Sequence, residues 1–344
     1  MGNRIAVLGT GAIGSSIGAD LTLAGHDVTL IDQWPAHVQA MKMNGLHVAF
    51  KESAFHVPVK ALDLCDVAGE NLTFDIVLLA AKSNDTRWLA EFIKPFLKPT
   101  GTIVGTQNGM NDDTIASIIG APRVVGCVVE LQAELFTPGR IQRNTTREGT
   151  WFTVGELDGS YTQRARDIAA LIGNVGRCEV SNNIAGAKWT KLIANAMTMG
   201  PFSLFGLRNF EAVALPGMLD LSVSLGREAM AVGAALGYRM QPLFGIRADE
   251  FAGTSDENLV TTMKTLMSHV GGGRTAPIHD HLKGRISEIA FISGLVASKG
   301  RELGIQTPAN DAVTELDRRI NTCDIPMDVA NLEALKSMIA HGVS

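Results

Sequence analysis

The sequence predicts an α/β fold: a parallel, doubly wound sheet in the amino-terminal half, followed by an all-helical domain. Three observations carry this. Short apolar runs alternate with helical stretches through the first half, the pattern of strands joined by crossover helices. A glycine-rich turn follows the first apolar run directly. From Asn182 onward the strand alternation stops, and long Ala/Leu/Met-rich segments with helical spacing take over.

The first element, Ile5 to Leu8, has the length and β-branched content of a buried strand. It meets Gly9-Thr10-Gly11-Ala12-Ile13-Gly14, which opens a helix rich in Ala, Ile and Leu. In a G-x-G-x-x-G turn each glycine has a mechanical reason. Gly9 allows the tight turn, Gly11 lets the backbone approach a pyrophosphate, and Gly14 lets helix and strand pack closely. The helix N-terminus then offers free N–H groups and a positive dipole end to phosphates. In a chain with 36 glycines such a motif arises by chance, and the context is what distinguishes this one. A second apolar run, Val28 to Ile31, ends at Asp32, eighteen residues after Gly14. A carboxylate there accepts from a ribose 2′-OH and repels a 2′-phosphate, and no Arg follows it in Gln33-Trp34-Pro35-Ala36-His37. The expectation is a dinucleotide site that takes NAD over NADP.

Further along, Ala36 to Asn44 reads as a helix stopped by Gly45, and Leu46 to Lys60 as one or two excursion strands. Phe74 to Ala80 is a buried strand running into Lys82, then a helix carrying Trp88, Leu89, Phe92 and Ile93. Thr102 to Gly105 is the next strand, followed by Asn108. Ligands of such sheets sit beyond the carboxyl ends of the strands, so Lys82 and Asn108 are expected to face the cofactor. Val124 to Leu131 is a strand, Thr137-Pro138-Gly139 a turn, and Trp151 to Gly155 its return. Gln163 to Ile172 is a helix and Cys178 to Val180 a last short strand. The boundary is placed at 180, giving a dinucleotide-binding domain over 1–180 and a helical domain over 181–344. The helices expected there are Ala185 to Met199, Leu215 to Leu236, Asn258 to His269, Ile286 to Leu303 and Asn310 to Cys323. A cleft between the two domains is the expected site.

Composition narrows the function classes. With 46% hydrophobic and 19% charged residues and a net charge of -5, the 344-residue chain has an ordinary globular balance. No basic stripe points to nucleic acid, and no apolar stretch approaches the roughly 18 residues of a membrane span. Cys65, Cys127, Cys178 and Cys323 are scattered and read as free buried thiols, with no metal-ligand spacing. The chain enters a strand at once, which leaves no room for a signal peptide. A cytoplasmic protein with no metal is expected.

Two stretches of the helical domain can carry chemistry. In Lys188-Trp189-Thr190-Lys191-Leu192-Ile193-Ala194-Asn195, Lys191 and Asn195 share one helix face. A helical Lys is ordinarily a solvated charge; on a cleft wall, partial desolvation draws an amine towards the working range of a general acid. In Gly284-Arg285-Ile286-Ser287-Glu288-Ile289, Ser287-Glu288 is read at a helix start, where ordinary capping is the bland account. His279-Asp280-His281 reads as polar residues on a loop or helix start, because no further ligand has metal-site spacing.

Taken together these stretches resemble the ketopantoate reductase (2-dehydropantoate 2-reductase) family. The resemblance spans nearly the whole chain: Gly9 to Gly14, Ala81-Lys82-Ser83, Gln107-Asn108-Gly109, Trp189-x-Lys191-Leu192-x-x-Asn195, Gly284-Arg285-x-Ser287-Glu288-Ile289, and Gly304-Ile305-x-Thr307-Pro308-x-Asn310. It implies a Rossmann domain joined to an all-helical domain like the carboxyl-terminal domain of 6-phosphogluconate dehydrogenase. It also implies a homodimer and reduction of a 2-oxo acid by a nicotinamide cofactor. By the same resemblance Lys191 is the general acid, Glu288 binds the hydroxyl formed, and Asn195 holds the substrate. Asn108 bridges cofactor and substrate, and Lys82 lines the cofactor site.

Three departures bear on substrate and cofactor. Asp32 stands where family members usually carry an Arg for the 2′-phosphate of NADP. Ala276 stands where the family has a substrate-binding Ser twelve residues before the Glu, with Thr275 beside it. Met199-Gly200-Pro201 replaces a second Asn ahead of a Pro. An unpaired substrate oxygen in a dry cleft costs about 1–3 kcal/mol, so the chemistry is read as preserved and the substrate as open. Two alternatives stand beside ketopantoate reduction: a dehydrogenase for another hydroxy acid or sugar acid, and a non-catalytic NAD-binding sensor.

Overall fold

The first apolar runs of the sequence become the centre of a sheet that is buried on both faces. In a computed structural model of the chain, which describes residues 2–242, 247, 256–270 and 272–342, the chain divides into two units, Met1–Ile184 and Ala185–Ser344. The first begins β1 (Arg4–Leu8), α1 (Ala12–Leu23), β2 (Asp27–Asp32), α2 (Pro35–Asn44), β3 (Leu46–Ala49), β4 (Ala54–Val57), β5 (Lys60–Asp63), α3 (Leu64–Gly69) and β6 (Phe74–Leu79). It continues α4 (Thr86–Ile93), β7 (Leu97–Gly105), α5 (Asp112–Ile119), β8 (Val124–Glu130), β9 (Ala133–Thr137), β10 (Arg140–Arg143), β11 (Trp151–Glu156), α6 (Gln163–Ile172) and β12 (Arg177–Val180).

Eight strands form the main sheet in the order β5-β2-β1-β6-β7-β8-β11-β12. The six strands from β5 to β8 are parallel, as in a Rossmann fold, and the order reverses between β1 and β6. β11 returns antiparallel to β8, with Trp151 opposite Glu130, as the sequence reading anticipates. Side chains of β1, β6 and β7 fill both faces, which is why these strands read as unbroken apolar runs.

A second sheet, ordered β4-β3-β10-β9, contains strands the sequence did not reveal. β9 and β10 are the arms of a hairpin around Gly139, and β10 pairs parallel to β3. These strands have only four or five residues and partly exposed faces, so their alternation is too short to register. Arg143 on β10 fastens this sheet to α1. Its buried guanidinium pairs with the Asp20 carboxylate and also donates to Thr150 Oγ1 at 2.9 Å and Val175 O at 3.1 Å. Arg147 takes the second Asp20 oxygen at 2.6 Å. Burial pushes the Asp20 carboxyl up from its usual range, and the two guanidiniums pull it back.

The helical unit contains α7 (Ile184–Ser203, which starts at the last residue of the first unit), α8 (Asn209–Val213), α9 (Met218–Ala235), α10 (Asp256–Val270), α11 (Ala276–Leu282), α12 (Ser293–Leu303), α13 (Pro308–Asn321) and α14 (Asn331–His341). Trp189 locks α7 to α9: its indole N–H donates to Ala229 O at 2.9 Å, and any Cβ at Gly233 would collide with the indole. The Thr307-Pro308-x-Asn310 stretch has a structural basis. Pro308 begins α13 without an N–H, so Ala309 and Asn310 present the first free donors. Glu228 from α9 accepts from both at 2.9 Å.

Three expectations need correction. The helix expected over Leu215 to Leu236 is present as α9 but starts three residues later, at Met218, because Gly217, at φ 80°, precedes its first turn. Ile286 to Leu303 is not one helix. Residues 285–288 are irregular, Ile289–Phe291 is a 3₁₀ turn, and α12 starts only at Ser293, after Ile292 at φ -116° and ψ -89°. The thiols are free, but Cys65 and Cys323 are exposed, because each lies near the end of a short or finished helix.

Arg143→Met should cost about 3–5 kcal/mol of stability, since it strips a buried carboxylate of its fully buried partner. Urea denaturation checks this, and a loss under about 1 kcal/mol would show that Arg147 alone suffices.

Candidate active site

The turn after β1 is shaped by contacts that no side chain could share. Gly9 has φ 87°, and a Cβ on it would lie within 2.5 Å of the Ala81 backbone. A Cβ on Gly14 would run into the Gly9 carbonyl oxygen. Gly11 differs: a Cβ there would meet nothing within 4 Å. The open space over Gly11, at the amino end of α1, suits a pyrophosphate approaching the backbone. Thr10, Ala12 and Ile13 complete the turn, Thr10 by bonding its hydroxyl to Asp32 Oδ2 at 3.1 Å. The other Asp32 oxygen accepts from Trp34 N at 2.8 Å. An ionised carboxylate has about four lone-pair sites, so a fixed Asp32 still has acceptor capacity for ribose hydroxyls. The residues of this turn fit a dinucleotide.

Lys82 and Asn108 follow β6 and β7 at the same edge of the sheet, beside Ala81 and the Gly9 turn. The two loops are tied together by residues to which the sequence alone assigned no role. Gln107 Nε2 donates to Ala81 O at 2.8 Å and Thr86 Oγ1 at 2.9 Å. Asn111 Nδ2 donates to Asn108 O at 2.8 Å and Ser83 Oγ at 3.0 Å. Their signal was present, as polar residues just past two apolar strands, but polar residues in a loop are ordinary.

His37 on α2 is buried behind the glycine turn. Gly139 N–H donates to its Nδ1 at 3.0 Å, so Nε2 carries the proton and faces Ser15 Oγ at 3.1 Å. Ser15 in turn donates to Thr10 O at 2.7 Å. This chain holds the turn from behind through one neutral imidazole.

In the helical unit, Lys191 is partly exposed on α7, and Asn195, one turn on, is 6% exposed. Trp189, Leu192 and Ile193 are buried around them, and Thr190 is held by Gly186 O and Gln241 N at 2.8 and 2.9 Å. Glu288 is 5% exposed and follows Ser287, which is fully buried. The far end of α7 packs on the turn after Glu288: a Cβ at Gly200 would lie 2.8 Å from Ser293 Oγ and 2.9 Å from Val313. No larger residue fits at 200 without displacing them, which accounts for the missing amide there. Beside Ala276, Thr275 is 6% exposed, and its buried hydroxyl has no partner among the described residues. His279, Asp280 and His281 lie on α11, and His281 Nε2 faces Asp317 Oδ1 at 3.1 Å. Among the described residues no three His, Cys, Asp or Glu side chains are grouped to hold a metal ion, and no helix is long and apolar enough to cross a membrane.

Comparison with known proteins bears on this arrangement. Residues 5–159 match the family model described as ketopantoate reductase PanE/ApbA, and residues 183–321 match its carboxyl-terminal counterpart. A 2-dehydropantoate 2-reductase of Mesorhizobium japonicum is 29% identical, over 92% of this chain and 97% of that one. The Archaeoglobus fulgidus enzyme of the same name is 26% identical, over 93% and 98%. Among solved structures, a PanE/ApbA family ketopantoate reductase from Ralstonia eutropha superposes with a TM-score of 0.79 at 27% identity, covering 93% of this chain and 99% of that one. D-mandelate dehydrogenase in complex with NADH and anilino(oxo)acetate shares the fold, with a TM-score of 0.82 at 21% identity over 93% and 99% of the two chains.

Burial holds the His37 imidazole below its usual pKa, against the opposing pull of Asp32. An unfolded histidine takes up a proton near pH 6.5 that the folded chain resists. Stability is therefore full above about pH 6.5 and falls as the pH drops below it. Melting temperatures between pH 7.5 and 5.5 should fall more steeply in the native chain than in His37→Gln; equal slopes would remove His37 as the cause.

Proposed function

Since the chain belongs to the ketopantoate reductase family, we propose that it reduces a 2-oxo acid of the ketopantoate kind to its 2-hydroxy acid, with NADH as the preferred donor. It is an oxidoreductase acting on a CH–OH group and using a nicotinamide cofactor. The observation that carries the finer reading is Lys191 and Asn195 together on one face of α7, fixed by the buried side chains around them.

When bound, the cofactor supplies the hydride. The residues of this chain manage the charge that results. Hydride arrival at the carbonyl carbon places negative charge on the oxygen, and Lys191 donates its proton there, leaving an alcohol and a neutral amine. Asn195 holds the substrate by its polar groups, and Glu288 accepts from the new hydroxyl. In the reverse direction the neutral Lys191 removes the hydroxyl proton. On the other unit, Gly9 to Gly14 carry the pyrophosphate, Asp32 takes the ribose hydroxyls, and Lys82 and Asn108 line the nicotinamide side. The unpartnered Thr275 hydroxyl supports a substrate contact beside Ala276, so the acid recognised need not share every polar contact of ketopantoate. The reading includes a cytoplasmic homodimer.

With a panel of 2-oxo acids that includes 2-dehydropantoate, Lys191→Ala should lower kcat by about 10²–10⁴-fold; near-native kcat would remove Lys191 as the proton donor. Steady-state rates should give a kcat/KM with NADH at least tenfold above that with NADPH. A tenfold preference for NADPH would overturn the role given to Asp32.

A further inference from the structure

Ser287, immediately before Glu288, is held by groups from elements distant in sequence. Its hydroxyl donates to Asp317 Oδ2 at 2.6 Å, and its backbone N–H donates to Asn321 Oδ1 at 3.0 Å. Asn321 Nδ2 donates to the same Asp317 oxygen at 2.8 Å. The other Asp317 oxygen faces His281 Nε2 at 3.1 Å, and the Ile289 N–H reaches back to Ser287 Oγ at 3.3 Å. The side chains of His281 and Asp317 are 4% and 3% exposed.

Serine, aspartate and histidine together suggest a nucleophile, but the order excludes it. The hydroxyl hydrogen-bonds to the carboxylate, and the imidazole faces that carboxylate's other oxygen, so the imidazole does not stand between the two as the base of a nucleophilic triad. As a purely stabilising device the cluster is also poor, because well-packed apolar side chains often replace buried ionic groups at no loss. What it does achieve is positional. Residues 285–288 belong to no helix or strand. One end of this segment is tied by Arg285 N to Asp280 O at 2.9 Å. The other end is tied by Ser287 to α13, and the next residue is Glu288.

We infer that His281, Asp317 and Asn321 are positioning residues that act through Ser287 to hold Glu288 where it meets the substrate hydroxyl. This rests on the role given to Glu288 above. Bonds from α11 and α13 converge on one carboxylate, and that carboxylate fixes the residue whose neighbour binds substrate. Loss of any one bond lets the segment shift, and a displacement of about 1 Å at a reacting group can cost about 100-fold in rate.

The test uses the full-length enzyme and a 2-oxo acid that the native chain reduces. Ser287→Ala and Asp317→Asn should each lower kcat/KM for the acid at least tenfold. The KM for the nicotinamide cofactor should stay within twofold, with folding verified by melting temperature. Ser287→Thr, which restores the hydroxyl, should recover most of the rate. Ser287→Ala combined with Glu288→Gln should be no slower than Glu288→Gln alone, because a residue that acts only through Glu288 has nothing left to position. A folded Ser287→Ala enzyme with native kcat/KM would overturn the inference, as would losses that multiply in the double variant. If Asp317→Asn does not fold, the smaller Ser287→Ala change decides. A Glu288→Gln enzyme with native rates would instead overturn the role of Glu288 itself, as would a native chain that reduces no 2-oxo acid.

Discussion

No side chain fits at Gly9 or Gly14, and most of the amino-terminal unit follows from that exclusion. The carbonyl of Gly9 occupies the place of a Gly14 Cβ, and the backbone of Ala81 occupies the place of a Gly9 Cβ. β1, α1 and the end of β6 therefore meet backbone to backbone. That approach brings the amino end of α1 over the point where strand order reverses, beside Lys82, with Asn108 beyond the next strand. It also leaves Thr10 close enough to bond Asp32, so that the residues proposed for the pyrophosphate and the ribose are set by one turn. A methyl group at either glycine would separate these elements together, since close-packed interiors do not yield by small amounts.

The strength of this constraint explains what could be read without coordinates. Local rules are visible in sequence: a glycine turn between apolar runs, Gly45 ending α2, the change of texture after Asn182. The main sheet apart from its edge strand β5, together with α6 and the long helices α7, α9 and α13, was legible for that reason. The strands of the β9–β10 hairpin were not, although its turn at Thr137-Pro138-Gly139 was, because the pairing of β10 with β3 joins residues about 90 apart through strands of four residues. Nor was the break before α12. The sequence from Ile286 to Leu303 has helical spacing, but Ser287 is claimed by Asp317, thirty residues away. Tertiary hydrogen bonds override local propensity there.

Buried or half-buried carboxylates are the recurrent form of these distant ties. Asp20 joins α1 to β10 across 123 positions, Glu228 caps α13 from α9 across 81, and Asp317 gathers Ser287, Asn321 and His281. Each accepts from two or more donors, which is the condition for burying a carboxylate at tolerable cost. Two of them lie behind a stretch given a functional role, Asp20 on the helix that opens at the glycine turn and Asp317 behind Ser287-Glu288, while Glu228 holds the Thr307–Asn310 stretch at the start of α13. Apolar packing could hold these elements together, but a carboxylate with directional bonds also fixes their register.

The same reasoning separates the two departures near the substrate residues. At Gly200 the missing amide is a packing matter, since Ser293 and Val313 fill the volume a side chain would need. Any larger residue there must displace the Ser293 and Val313 side chains, so the position is coupled to the segment that follows Glu288. At Ala276 the opposite holds. The hydroxyl lost from one position has a counterpart in Thr275, whose oxygen is buried and bonded to nothing among the described residues. A buried hydroxyl without a partner costs free energy in the absence of ligand, and a substrate oxygen that meets it recovers that cost. Under the proposed function, one departure follows from packing at the end of α7 and the other leaves Thr275 to offer the hydroxyl, so both bear on which acid fits more than on the chemistry done to it.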